Sequence, residues 1–105
     1  MPAYLIAGND VIDLDLMREY VEGAGATLGA YGAKLLAPDF SQLVEGGEVV
    51  HKEGDFRPSR VVIVEFPDME RALAWYESPE YQAIVGLRQR GSVGSLFFAD
   101  GVPGA

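Results

Sequence analysis

The segment Val61–Phe66, VVIVEF, is the feature that most limits the folds open to this chain. A strand that is apolar everywhere except Glu65 offers both of its faces for burial. It opens a longer run, Arg60 to Arg90, that reads as strand, Pro-Asp stop, short helix and second helix. With 105 residues there is room for one domain, residues 1–105, and one core. Two main helices cover one face of a sheet in a domain of this size. The other face needs a partner, so self-association is the first functional expectation.

Sixteen acidic against eight basic side chains give a formal charge of −8. Such a surface repels phosphate backbones and anionic lipid, because binding either requires Lys and Arg in excess. No nucleic-acid and no membrane partner is therefore expected. No cysteine is present, which removes disulfides, thiolate metal sites and cysteine nucleophiles. The start, MPAYLIAGND, lacks a basic region and a long apolar run, so no secretory signal is expected. These features together fit a cytoplasmic location.

Along the chain, Pro2–Ala7 reads as a strand that Gly8-Asn9-Asp10 ends. Asp13 caps a helix through about Ala30, with Leu14, Met17, Val21, Ala24 and Leu28 as its apolar stripe. Gly23, Gly25 and Gly29 weaken that helix and permit close approach by the sheet or by a ligand. Gly32 suits a left-handed C-cap. Residues 34–53 read as one broken strand or a two-part hairpin, interrupted around Pro38-Asp39 and Gly46-Gly47. After the strand Arg60–Phe66, Pro67 stops the ladder and Asp68 caps a helix that buries Met69, Ala72, Leu73 and Tyr76. Ser78-Pro79-Glu80 starts the next helix, with Tyr81, Ile84, Val85 and Arg88 on neighbouring turns. Gly91 or Gly94 closes it, and Ser95–Ala99 is the last strand.

The order is β-α-β-β-α-β, the ferredoxin-like arrangement of the α+β class. It has a four-stranded antiparallel sheet and helices on one face. Two such sheets packed face to face would hide the surplus apolar surface, giving a symmetric homodimer.

Ser78-Pro79-Glu80-Tyr81-Gln82-Ala83, followed by Leu87-Arg88, resembles the DUF1330 family of small dimeric α/β-barrel proteins. Pro2-Ala3-Tyr4, Tyr31-Gly32-Ala33-Lys34 and Val64-Glu65-Phe66-Pro67 extend the resemblance over nearly the whole chain. The extended 38–47 region and the glycines at 23, 25 and 29 depart from the family pattern and bear on any pocket. What the resemblance implies is a fold and a dimer rather than an activity. The wider dimeric α/β-barrel group holds cofactor-independent monooxygenases, haem-degrading proteins, dehalogenase-like and isomerase-like enzymes, and non-enzymes.

His51 is the only histidine, with Glu48, Glu53 and Asp55 near it in sequence. A lone His beside carboxylates is a general base or a metal ligand; its rival role is a partly exposed strand residue. No further ligands stand at metal-site spacing, so no metal is expected. Tyr4, Glu65, Trp75, Tyr76, Tyr81 and Arg88 form the second group, which the resemblance largely preserves. Arg88 would grip a carboxylate or enolate, and Tyr4 or Tyr81 would donate to an oxyanion. Glu65, a carboxylate in an apolar strand, is placed for proton transfer, or pairs with Arg88 as a buried ion pair. The aromatics are equally core and interface residues. Gly23-Ala24-Gly25 lies inside a helix, the wrong context for a phosphate loop, and Ser78 is occupied as a cap.

Two functional expectations follow. One is a cofactor-independent enzyme acting on a small organic acid or carbonyl compound, with Glu65 or His51 moving the proton. The other is a non-catalytic homodimer that binds a small metabolite or supports an assembly. Haem held by His51 is a third, weaker reading, and no cofactor is required by the first two.

Overall fold

The computed structural model describes residues 1–104. Strands β1 (Ala3–Val11), β2 (Lys34–Ala37), β3 (Arg60–Phe66) and β4 (Ser92–Asp100) form one sheet in the order β2-β3-β1-β4, antiparallel throughout. Helix α1 (Leu14–Leu28) joins β1 to β2, and α2 (Met69–Glu77), α3 (Pro79–Gln82) and α4 (Val85–Gly91) join β3 to β4. This is the ferredoxin-like α+β arrangement that the element order implies.

The central pair shows why the sheet has two different faces. Ala3, Leu5 and Ala7 of β1 are buried, as are Arg60, Val62, Val64 and Phe66 of β3, while the residues between them are half-buried. Alternation sends the first set under the helices. The second set, Tyr4, Ile6, Ile63 and Glu65, pairs across the opposite face, which no helix covers. Phe97 of β4 lies opposite Ile6 on that face and is 46% exposed.

Local caps form as the side chains dictate. Asp13 accepts from the Leu16 amide and Asp68 from the Arg71 amide, each satisfying an orphan donor at a helix start. Ser78 does the same for Tyr81, with Pro79 at the first helical position. Gly32 adopts φ 70°, the left-handed geometry that ends the first helical segment.

Five expectations need correction. The first strand does not stop at Gly8-Asn9-Asp10 but runs to Val11, because β4 pairs with it through Ser92. The final strand is longer for the same reason. Residues 48–53 are not a strand: only Lys34–Ala37 pairs with β3, and the chain from Gly47 to Ser59 is irregular. The last helix divides at Ala83-Ile84, where the Ile84 and Leu87 amides bond to carbonyls three residues back. Finally, Leu14 and Leu73 are exposed, and Tyr20 and Trp75 take the buried places instead.

Close backbone approach fixes the far end of the sheet. A Cβ on Gly94 would run into the Gly8 carbonyl and the Asn9 backbone. Gly25, by contrast, faces open space. Gly94→Ala is therefore expected to cost about 1–3 kcal/mol by overpacking. Gly25→Ala should gain ~0.4–1 kcal/mol by restricting the unfolded chain. Urea unfolding of the two variants, read as opposite shifts in midpoint at unchanged slope, checks both.

Candidate functional site

Between α1 and the sheet lies a cavity of ≈ 210 Å³. Leu5 and Ala7 of β1, Val62 and Val64 of β3, Leu35 and Leu96 form its floor, and Val21, Ala24 and Leu28 its roof. Trp75 closes one side, while Phe40 and Leu43 come from the turn after β2. Gly25 and Gly29 border the same space, and nothing stands where their side chains would be. Gly23 differs, because a Cβ there would press on Ile84. Of the three helix glycines, Gly25 and Gly29 are exposed at the cavity's edge and Gly23 permits close packing.

Into this apolar space come two arginines. Arg60, the first residue of β3, is 3% exposed. Its Nε donates to the Leu43 carbonyl at 2.7 Å and its Nη1 to Asn9 Oδ1 at 3.0 Å. Asn9 is held in turn, its Nδ2 donating to Ser92 Oγ at 2.9 Å. Ser92 Oγ donates onward to the Arg88 carbonyl at 2.8 Å. Arg88 reaches the cavity from α4, and its buried Nε has no hydrogen-bond partner. Gly91 lets α4 lie close enough for this, since a Cβ there would crowd Leu16 and Met17.

Neither arginine has an acidic partner. The ion pairs among the described residues are Arg18–Asp15 and Arg71–Asp68, both on the surface. The described residues lining the cavity include no carboxylate and no histidine. Burial pulls the Arg60 pKa below its ordinary value, and Arg88 nearby pulls the same way. A guanidinium keeps its proton in proteins, so Arg60 remains a cation. Burial also works against the Arg88 charge, but the hydroxyls of Tyr81, Tyr20 and Tyr76 around it hold its pKa above the ordinary value. A chain of net charge −8 thus keeps two cations without counter-charge beside one apolar space.

Tyr20 supplies the remaining polar group. Its hydroxyl lies 2.8 Å from that of Tyr81, which is fully buried. The Tyr81 ring lies against Trp75, centroids 4.0 Å apart and planes tilted by 42°, and Trp75 Nε1 donates to Thr27 Oγ1 at 2.8 Å. Trp75 is thereby locked as a wall. Burial, then the Tyr81 hydroxyl, push the Tyr20 pKa well up. The cavity accordingly has a cationic, hydroxyl-bearing end and an apolar body.

The structure brings together only part of the sequence-based set. Trp75 and Arg88 line the cavity, with Tyr81 and Tyr76 packed behind them. Tyr4 and Glu65 are cross-strand partners on the uncovered face, so Glu65 forms no ion pair with Arg88. His51 lies on the irregular segment, half-buried and near Asp10. Among the described residues no group of three His, Asp or Glu side chains could hold a metal, and no helix could cross a membrane. Arg60 and Tyr20 are the residues that sequence reading missed. Arg60 has the same strand parity as Val62, Val64 and Phe66, and that parity alone puts it on the covered face.

The fold is of the ferredoxin-like α+β class, with a cavity between its first helix and its sheet. The family model for DUF1330, a domain of unknown function, matches residues 2–102, and the chain belongs to that family. Among solved structures it is similar to the RPA0582 protein of unknown function from Rhodopseudomonas palustris, with TM-score 0.72 and 15% identity over 96% of this chain and 82% of that one. The methylated form of RPA0582 gives TM-score 0.65 and 18% identity over 99% and 84% of the two chains. It is similar as well to SnoaB, a cofactor-independent oxygenase from Streptomyces nogalater, with TM-score 0.58 and 7% identity over 99% and 98%. No curated protein matches in sequence.

The Tyr20–Tyr81 pair makes two expectations. Tyr20→Phe leaves the buried Tyr81 hydroxyl without its partner and should cost about 1–3 kcal/mol. The raised native pKa means that unfolded Tyr20 releases its proton first, from its ordinary value of 10.0 upward. Stability from this group is complete below that pH and falls as pH rises towards the native pKa. Unfolding followed across the alkaline range should show a shallower loss in Tyr20→Phe than in the parent.

Proposed function

We propose that this protein binds a small, mainly apolar organic anion, such as an organic acid, in the cavity under α1. The observation that carries the reading is the pair Arg60 and Arg88, which line that cavity with no carboxylate of their own. A buried cation without a partner is costly to fold, and an anion delivered by a ligand removes that cost. Arg88 is the grip: its guanidinium lines the cavity with no carboxylate of its own, and its planar fork matches a carboxylate or enolate. Tyr20 donates to the same oxygen, and Trp75, Leu28 and Val62 take the apolar body.

Enzymatic use of this cavity is a second reading, favoured by the fold likeness to SnoaB, a cofactor-independent oxygenase. Arg88 and Tyr20 would then stabilise the oxyanion of an enolisable acid, where preorganised donors act most strongly. Glu65 and His51 stand outside the cavity lining, so proton transfer is not given to them in this account. The substrate would enter already ionised, its acidic proton lost to bulk water, so that this step needs no base from the cavity lining.

The same proposal includes a homodimer. Ile6, Ile63 and Phe97 share the uncovered face, and a second copy packed sheet to sheet would bury them. The irregular chain from Gly47 to Ser59 borders this face, with Phe56 and Pro58 lying against Gly8.

Trp75 is the only tryptophan and lines the cavity, so it reports occupancy directly. Benzoate should change Trp75 emission saturably. Arg88→Gln should weaken that response at least ~10-fold, about 1.4 kcal/mol, with the melting temperature little changed. Light scattering on the same samples should return twice the 11.3 kDa chain mass. A titration that is flat in the parent, or unaltered in the variant, counts against the pocket; a mass of one chain counts against the dimer.

A further inference from the structure

We propose that the natural ligand of this cavity carries two acidic groups on one compact apolar body, one held by Arg60 and the other by Arg88. The inference rests on the small-anion reading above and narrows it to a charge state. Its basis is a charge count. Both guanidiniums border one cavity, and both lie close enough to Tyr20 to act on its hydroxyl. A single carboxylate compensates one of them and leaves the other bare in a medium where charge is poorly screened. The lining offers no Asp or Glu to make up the difference. A dianion balances the site.

Hydrogen bonding points the same way. Arg60 commits Nε to the Leu43 carbonyl and Nη1 to Asn9, both neutral acceptors that orient the group without cancelling its charge. Neither of those bonds uses its second terminal nitrogen, Nη2. Arg88 Nε is buried without a partner. Asn9 and Ser92 tie the Arg60 side chain to the Arg88 backbone carbonyl. Both arginine side chains line the same cavity, so one compact molecule is able to meet both.

Volume sets the size of the body. An apolar cavity of about 150 Å³ accommodates benzene. The ≈ 210 Å³ here fits one ring with two small substituents. A ring bearing adjacent or nearly adjacent carboxylates meets all three conditions.

The test is a set of Trp75 fluorescence titrations at neutral pH and constant ionic strength, with phthalate, isophthalate, benzoate and benzamide. The better of the two dicarboxylates should bind the parent at least ~10-fold more tightly than benzoate, and benzamide should bind weakest. Its affinity should also fall more steeply with added salt than that of benzoate. In Arg60→Gln and in Arg88→Gln the advantage over benzoate should disappear. The comparison among ligands on the parent protein stands even if a variant fails to fold. Benzoate binding as tightly as both dicarboxylates overturns the two-group proposal and leaves the small-anion reading intact. Benzamide equal to benzoate, or no response to any of the four, overturns both.

Discussion

Two positive charges held under a helix layer, with no negative charge to meet them, are the constraint around which this structure is organised. Arg60 is fixed by the Leu43 carbonyl and by Asn9, which ties the turn after β2 to the centre of the sheet. Asn9 passes the connection through Ser92 to the backbone of α4, where Arg88 resides. One polar network thus holds β1, β3, β4 and α4 at the end of the cavity. Networks of this kind are worth having only when every member is satisfied. Here they are, except at the guanidinium surfaces that look into the cavity.

Phe66, Trp75, Tyr76, Tyr81 and Phe98 form a continuous aromatic cluster beside that end. Trp75 and Tyr20 are where it meets the cavity. Gly25 and Gly29 cost helix stability at the exposed edge of the cavity.

Much of the fold was legible because it rests on local chemistry. The caps at Asp13, Asp68 and Ser78, the left-handed Gly32 and the two-faced strand Arg60–Phe66 all follow from side chains acting within a few residues. What escaped depends on distant partners. Gly8-Asn9-Asp10 resembles a strand stop, yet Asn9 is buried because Arg60 and Ser92 satisfy its amide. Tyr20 and Trp75 displaced Leu14 and Leu73 from the core because their polar atoms found Tyr81 and Thr27. Of the site, Trp75 and Arg88 were readable as candidates. Strand parity separates Glu65 from Arg60 and shows which of the two charged residues of β3 is covered. That Arg88 has no carboxylate partner needs the packed structure, since sixteen acidic residues were available to provide one.

The most direct test is a crystal structure of the protein equilibrated with a saturating aromatic carboxylate. The account predicts the carboxylate against Arg88 and within reach of Arg60 and Tyr20, with the ring on Trp75 between α1 and the sheet. An Arg88 paired with a carboxylate of its own chain or of a second copy, over a closed cavity without ligand, would contradict it.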